Sequence, residues 1–375
     1  MSLKIVLILL AVLIAICTSL FASVIIIKLN QTSREKSRNT DQKSIKPILN
    51  KLLAADPVIF FKNHTQGISK LSAKLERKTS VQTLEDMLLT ILEDTNGETR
   101  VKANTIAYQF GFPEKSISMI RERLTGNIAI GCRKAGLYQY EGAIPDILKT
   151  LDILSSNTQY QSLMALARIG NAAVMIQAFD KINRLIYVNE RTISEILNTF
   201  SGDRYELFKE MIHHKSEYLV RLFLKAIDKE TASALIEEIS SISESSGKET
   251  RLAAIIAIGK SGNSEKIPIL IKALNDKEWE IRAMAAKTLG ALTGPAAVTA
   301  LAGAARDREW WVRQNAITSI LAYPSCNEIL VSIVQTGDRY AYDSISYALG
   351  KTDDTKLLAS IRKVWTEKSN SANLL

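Results

Sequence analysis

Between residues 5 and 27 the chain carries no charged side chain and runs almost entirely through Ile, Leu, Val and Ala. A helix over those positions extends roughly 34 Å at about 1.5 Å per residue, enough to cross a hydrocarbon core of about 30 Å. Its few polar groups, Cys17, Thr18, Ser19 and Ser23, can bond back to the helix. The pattern then changes. Residues 30–44 are polar and read as a flexible connector. From residue 100 onward, apolar positions recur at helical spacing in paired short runs. A Gly, Gly-Asn or Gly-Ser break divides each pair and an Asp turn closes it, which predicts helix–turn–helix units in series.

The units share a period. Arg251, Arg282 and Arg313 lie thirty-one residues apart, as do Asp276, Asp307 and Asp338, and the pair Trp279 and Trp310. Gly259 and Gly290 keep the step, with Leu321 third and Gly350 two residues early at the fourth place. Weaker copies contain Gly111, Gly142 and Gly170, and two further units around Phe200-Ser201 and Lys229-Glu230 have lost the glycine. A period near thirty with paired helices predicts an all-α fold, an α-solenoid of roughly eight or nine helix pairs preceded by a single transmembrane helix. The expected domains are an anchor at 1–28, a basic juxtamembrane linker and leading helix at 29–78, and the solenoid at 79–375. Ala253, Ala254, Ala257, Ala283, Ala285, Ala286 and Ala316 are small residues that let first helices approach closely. Asp276 and Asp307 are expected to cap the next helix, with Glu278 and Glu309 in its first turn, and Gly290 and Gly350 to end helices as C′ residues. Residues 355–375 read as a capping helix with a frayed tail.

Asp276, Glu278, Trp279, Ile281, Arg282, Ala285, Leu289 and Gly290 together resemble the HEAT repeat in its short bacterial form, also found in phycobilin lyases. The next copy matches at Asp307, Glu309, Trp310, Val312, Arg313, Ala316 and Ile320, and departs where Leu321 replaces Gly. The resemblance implies an α-solenoid and a scaffolding habit, and it implies no reaction. Two functions follow from it. One is a membrane-anchored scaffold or accessory subunit that holds a protein partner. The other is an enzyme or chromophore-handling protein akin to HEAT-repeat lyases, which needs a deep pocket of convergent polar groups, with Tyr138, Tyr140 and Glu141 as its candidates.

Charge decides placement. The chain holds 48 Lys and Arg against 39 Asp and Glu, a formal +9. Residues 28–78 carry twelve basic and four acidic side chains, a net of +8, while 79–375 hold thirty-five of each and are neutral. A nucleic-acid solenoid would show a basic body, so nucleic acid is excluded as a partner. Lys4 stands alone before the apolar run, whereas six basic residues lie between Lys28 and Lys46. The positive-inside rule then predicts an N-terminus outside and a cytoplasmic body, in a bacterial inner membrane if the resemblance holds. Lys28, Arg34, Lys36 and Arg38 are the membrane-proximal basic group, suited to anionic lipid head groups or acting as a topology signal alone. A cleaved signal peptide is the rival reading. The apolar run exceeds the usual core of about 7–15 residues, and Leu20-Phe21-Ala22 puts Leu where a small residue belongs.

Catalytic material is scarce. The histidines are His64 and the adjacent His213 and His214, whose side chains would point about 100° apart on a helix and make a poor metal site. No metal, cofactor or catalytic residue is predicted. Cys132 and Cys326 read as buried small hydrophobes. The Arg251, Arg282, Arg313 series has two readings: a groove for an acidic partner, or pairing with the Asp series to hold repeats in register. Trp279 and Trp310 pack at the turns or serve an interface. Trp311, without a counterpart, is an interface candidate.

Overall fold

The computed structural model describes residues 3–153, 155–182, 190–244, 247–292, 294–352 and 354–372. Every regular element among them is helical, and the fold class is an all-α solenoid. The chain forms two compact units, Met1–Ile169 and Gly170–Leu375. The last expected residues of the frayed tail, 373–375, lie outside the described residues.

The first unit begins with α1 (Leu3–Leu53), followed by α2 (Pro57–Ser72), α3 (Lys78–Asp94), α4 (Gly97–Gln109), α5 (Phe112–Ile120), α6 (Thr125–Leu137), α7 (Ile144–Thr150) and α8 (Ser156–Ile169). The connector expected at 30–44 is helix, continuous with the apolar segment before it. The physical reason lies in the residues themselves. No Gly or Pro occurs between 28 and 46, and Asp41, Ile45 and Leu49 recur every fourth position. That stripe is fully buried against α2 and α3, so packing organises a stretch whose composition alone suggested a loop. Thr32 and Thr40 hydroxyls bond the carbonyls of Lys28 and Lys36 at 3.0 Å each, removing their preference for a turn. Arg77 pairs with Asp41 at 3.2 Å. Lys102 donates to the carbonyls of Leu53 and Ala55 at 3.3 and 2.6 Å, sealing the open end of α1.

The core of this unit gathers Ile45, Leu49, Phe60, Leu71, Leu84, Leu88, Leu92, Ile106, Phe112 and Tyr138. Within it lies a charged pair: Lys134 reaches Glu85 at 2.7 Å, and the Tyr138 hydroxyl donates to the same carboxylate at 3.2 Å. Burial, together with the Glu85 charge, pushes the Tyr138 phenol far above its ordinary range.

The second unit holds α9 (Ala172–Ile182), α10 (Glu190–Thr199), α11 (Arg204–Met211), α12 (Glu217–Ala226), α13 (Lys229–Ala234), α14 (Ile236–Ile242), α15 (Lys248–Ser261), α16 (Ile267–Ala273), α17 (Trp279–Ala291), α18 (Pro295–Ala304), α19 (Trp310–Leu321), α20 (Cys326–Gln335), α21 (Arg339–Gly350) and α22 (Thr355–Ala372). First helices α12, α15, α17, α19 and α21 pack side by side in that order, while α16, α18, α20 and α22 form a second row. The helix α22 covers α20 and α21, burying Leu357 and Ile361, as expected of a cap. The two units expected to lack a glycine differ: the first keeps one, Gly202, just past Ser201, and in both an Asp, Asp203 or Asp228, opens the next helix. Their carboxylates accept from Tyr205 and Thr231 amides at 2.9 and 2.8 Å and start α11 and α13.

The glycine readings need correction. Gly290 lies inside α17 and Gly350 is the last residue of α21; neither has a positive φ, so neither is a C′ residue. A Cβ on Gly290 would fall 2.3 Å from the Ser319 hydroxyl, and one on Gly259 2.7 Å from a Thr288 methyl. These glycines allow first helices to touch. Left-handed helix ends include Gly262, with φ 71°, and its counterpart Gly170, with φ 80°. Both are followed by an Asn whose side chain accepts a backbone amide, from Glu265 and Val174 respectively.

Candidate functional site

The arginine series is buried. Arg251, Arg282 and Arg313 expose no more than 7% of their surface. Each sits in the first turn of its helix and is aimed forward at the next repeat, and Arg282 and Arg313 also reach back to the turn before them. Arg282 grips Asp307 with two parallel bonds, Nε–Oδ2 at 2.8 Å and Nη2–Oδ1 at 2.9 Å, the geometry that guanidinium and carboxylate favour. Its Nη1 also donates to the carbonyls of Asp276 and Lys277 at 3.0 and 3.3 Å. Arg251 reaches Asp276 at 3.2 Å. Arg313 repeats the backward bonds, to the carbonyls of Asp307 and Arg308 at 2.8 and 3.0 Å. Its forward partner changes. Asp338 accepts the Ala341 amide at the start of α21, and Arg313 bonds the Ser344 hydroxyl at 3.0 Å.

Burial pushes the Asp307 carboxyl up, but the Arg282 bonds, the Glu309 amide and the charges of Arg282 and Arg308 outweigh it and hold it below the usual range. Bonding to Asp307 raises Arg282 correspondingly. Asp276 and Asp307 accept the amides of Glu278 and Glu309 at 2.9 and 2.8 Å. They therefore cap the turns, while Glu278 and Glu309 occupy the helix N-cap positions rather than the first turn. The first unit has a rung that sequence reasoning passed over. Arg100, in the weak copy ending at Gly111, bonds the carbonyls of Leu92 and, at 2.9 Å, Leu137. The shared Thr-Arg opening at Thr99-Arg100 and Thr250-Arg251 was the available signal.

The aromatic residues face outward. Trp279 and Trp310 are 37% and 38% exposed and Trp311 57%. Trp310 meets Trp311 edge to face at 4.7 Å between ring centres, and on its other side meets Tyr347 of α21 at 5.6 Å. Lys351 lies over Tyr347 at 4.4 Å. The structure thus joins Trp310 and Trp311 to an exposed Tyr347 that sequence reasoning did not single out, because 347 falls late in its helix and has no aromatic at the preceding step.

Along α1, Leu13, Ile16, Leu20, Phe21, Val24, Ile25, Ile26, Ile27 and Leu29 are all exposed. α1 is also the one helix among the described residues long and apolar enough to cross a membrane. Lys28, Arg34 and Lys36 follow, exposed, while Arg38 is drawn to Asp86 of α3. The remaining candidates do not converge. Tyr138 is a core residue bonded to Glu85, whereas Tyr140 is half-buried beside Tyr108 at 6.0 Å. His214 bonds Asp180 at 3.1 Å and accepts the Ser216 amide at 3.0 Å, so it is held as a turn residue. Cys132 is buried, 3.5 Å from the Ser162 hydroxyl, and burial raises its thiol. Cys326, expected to be buried, is half-exposed because it opens α20 on the outer row.

Comparison with curated protein sequences returns no match. Solved structures similar to the chain include YibA of Escherichia coli, at 16% identity and a TM-score of 0.31, covering 76% of this chain and 94% of that one. The CpcE–CpcF phycocyanin lyase complex of a Nostoc species is similar at 13% identity and a TM-score of 0.26, covering 68% and 94%. Human deoxyhypusine hydroxylase is similar at 14% identity and a TM-score of 0.27, covering 86% and 98%. The family of HEAT repeats matches residues 232–322, the stretch that contains the buried Arg251–Asp276 and Arg282–Asp307 pairs. Over residues 232–322, therefore, the chain carries HEAT repeats.

Proposed function

We propose that the chain is a membrane-anchored HEAT-repeat scaffold that holds a protein partner on its second unit. One observation carries the anchoring: nine large apolar side chains of α1, from Leu13 to Leu29, are exposed. Covering such side chains is worth about 2 kcal/mol each, so the uncovered stretch forgoes on the order of 20 kcal/mol in water. A bilayer supplies that cover over the length of residues 5–27. The charge asymmetry around that segment supports an N-terminus outside and a cytoplasmic body, with Lys28, Arg34 and Lys36 at the level of the lipid head groups.

The partner surface is the exposed aromatic group Trp279, Trp310 and Trp311. Exposed tryptophans at an otherwise polar edge favour association, since aromatic anchors dominate interface energies. Arg251, Arg282 and Arg313 serve this surface indirectly, by fixing the turns on which the rings stand. Tethering concentrates whatever binds there at the membrane. A reporter enzyme fused after Leu375 tests placement: activity confined to the cytoplasmic side is expected, and activity outside refutes the orientation. Photo-crosslinking of the intact membrane protein with and without Trp310→Ala/Trp311→Ala tests the surface. Loss of the crosslinked species with an unchanged melting temperature is expected; retention of it refutes the role.

A further inference from the structure

Alongside its buried arginines, the second unit repeats an outward series. One residue after Asp276, Asp307 and Asp338 stand Lys277, Arg308 and Arg339, thirty-one residues apart and all exposed. Beside them are the exposed rings of Trp279, Trp310 and Tyr340. Each of three successive turns therefore offers one cation and one aromatic ring. The buried guanidinium groups fix the backbone beneath the cations. Arg282 bonds the Lys277 carbonyl at 3.3 Å and Arg313 bonds the Arg308 carbonyl at 3.0 Å. The third turn is held by Asp338 accepting the Ala341 amide at 2.9 Å, and Arg313 lies over the Tyr340 ring at 5.5 Å. A surface so fixed loses little freedom when it binds.

The acids of these turns do not cancel the series. Asp276 and Asp307 are already matched by Arg251 and Arg282, Glu278 and Glu309 are half-buried, Asp338 caps α21, and Asp343 stands 3.9 Å from Arg339 as an exposed pair that a ligand carboxylate would have to displace or share. Spacing then selects the ligand. The helices α17, α19 and α21 pack side by side, and packed helices lie about 8–10 Å apart. A polyproline chain rises about 3.1 Å per residue with three residues per turn, so every third side chain returns to the same face about 9 Å further on.

We propose that this edge takes an acidic segment of a partner protein in the polyproline conformation, with a carboxylate at every third residue facing Lys277, Arg308 and Arg339 in turn. Apolar residues between the carboxylates lie against the rings. The proposal deepens the scaffold reading, on which it rests, by naming the chemistry of the partner.

The test uses the full-length protein in detergent and a fluorescent twelve-residue peptide with glutamate at every third position and proline between. Its isomer, with the glutamates clustered at one end, has the same composition and charge. Fluorescence anisotropy should show the spaced peptide binding at least about fivefold more tightly than the isomer. Reversal of all three cations (Lys277→Glu, Arg308→Glu, Arg339→Glu) should weaken it about tenfold or more, as three exposed pairs are lost and replaced by repulsion. All three residues are exposed, so the reversed protein should keep its helical circular dichroism and melting temperature. Equal binding of the two isomers, unchanged binding by the reversed protein, or equally tight binding of oligothymidylate or phosphatidylserine vesicles would overturn the proposal. Crosslinking separates it from the broader reading. If the reversed protein still captures the partner while Trp310→Ala/Trp311→Ala does not, the scaffold stands and the acidic ligand falls.

Discussion

Replacing Arg282 with Ala removes one end of a buried ion pair, and the structure sets how much that costs. The Arg282 and Asp307 side chains are 6% and 14% exposed, and two parallel bonds join them. Two further bonds to the Asp276 and Lys277 carbonyls disappear with the guanidinium. Breaking a buried pair from one side costs about 3–5 kcal/mol, because the remaining charge is left without a partner. Asp307 keeps the Glu309 amide at 2.8 Å, so the lower end applies. About 3 kcal/mol corresponds to a fall of about 6–12 °C in melting temperature for a cooperative unit of this size. The double variant Arg282→Ala/Asp307→Ala should lose less than the sum of its singles, since each removes the same interaction. Acid provides a second readout. A carboxyl held below its unfolded value of about 3.9 contributes stability that is present above that pH and lost as pH falls through the folded value. Wild-type protein should therefore lose stability below about pH 4. In Arg282→Ala the burial of Asp307 is no longer opposed by the guanidinium, and protonation relieves the stranded charge. The gap between the two melting curves should narrow from pH 7 to pH 3.5. Melting within about 2 °C of wild type at pH 7, or a gap that does not shrink in acid, would refute the assignment of Arg282 as a register clamp.

Gly136 sits where an added Cβ would lie 2.5 Å from the Ala165 backbone, so Gly136→Ala should push α6 from α8 and destabilise by about 1–3 kcal/mol in thermal melts. Gly303, in the last turn of α18, has nothing within 4 Å of that position, and Gly303→Ala should stabilise by about 0.5 kcal/mol. Lys134→Ala strands Glu85 in the core of the first unit and should cost about 3 kcal/mol or more, whereas Tyr138→Phe removes a single bond to that carboxylate and should cost about 1.5 kcal/mol. Chemical denaturation separates these two, and equal losses would show that the ion pair contributes nothing beyond the hydroxyl bond.

The repeat was legible where one residue does one job at every step. Arg251, Arg282 and Arg313 recur because each bonds a turn, and the change at the third step, where Arg313 bonds Ser344 although Asp338 keeps the period, is invisible to spacing alone. Gly290 keeps the period, but its reading as a helix end is wrong, since it faces α19. A glycine at a helix end and one facing a neighbouring helix look alike in one dimension, and the Gly-Asn pair at Gly262 was the better guide to the break. Residues 30–44 misled through composition, although the four-residue spacing of Asp41, Ile45 and Leu49 already marked a buried face. The outward rings were half legible. Trp279 and Trp310 declare themselves by the period, whereas Tyr347 joins them only through the packing of α21 on α19.

The unbroken run of α1 has a mechanical consequence. From Leu29, the last exposed apolar residue, to Asp41, the first buried one, the helix advances twelve residues, or about 18 Å. If residues 5–27 lie in a bilayer, as proposed, that length is a stiff spacer, and the first unit stands off the surface at a fixed height and a fixed azimuth. One residue inserted between 30 and 40 would lift it by about 1.5 Å and swing it through about 100°, while seven would raise it by about 10 Å and nearly restore its heading. On the proposed anchoring, α1 sets the compass bearing of the unit it carries as well as its address.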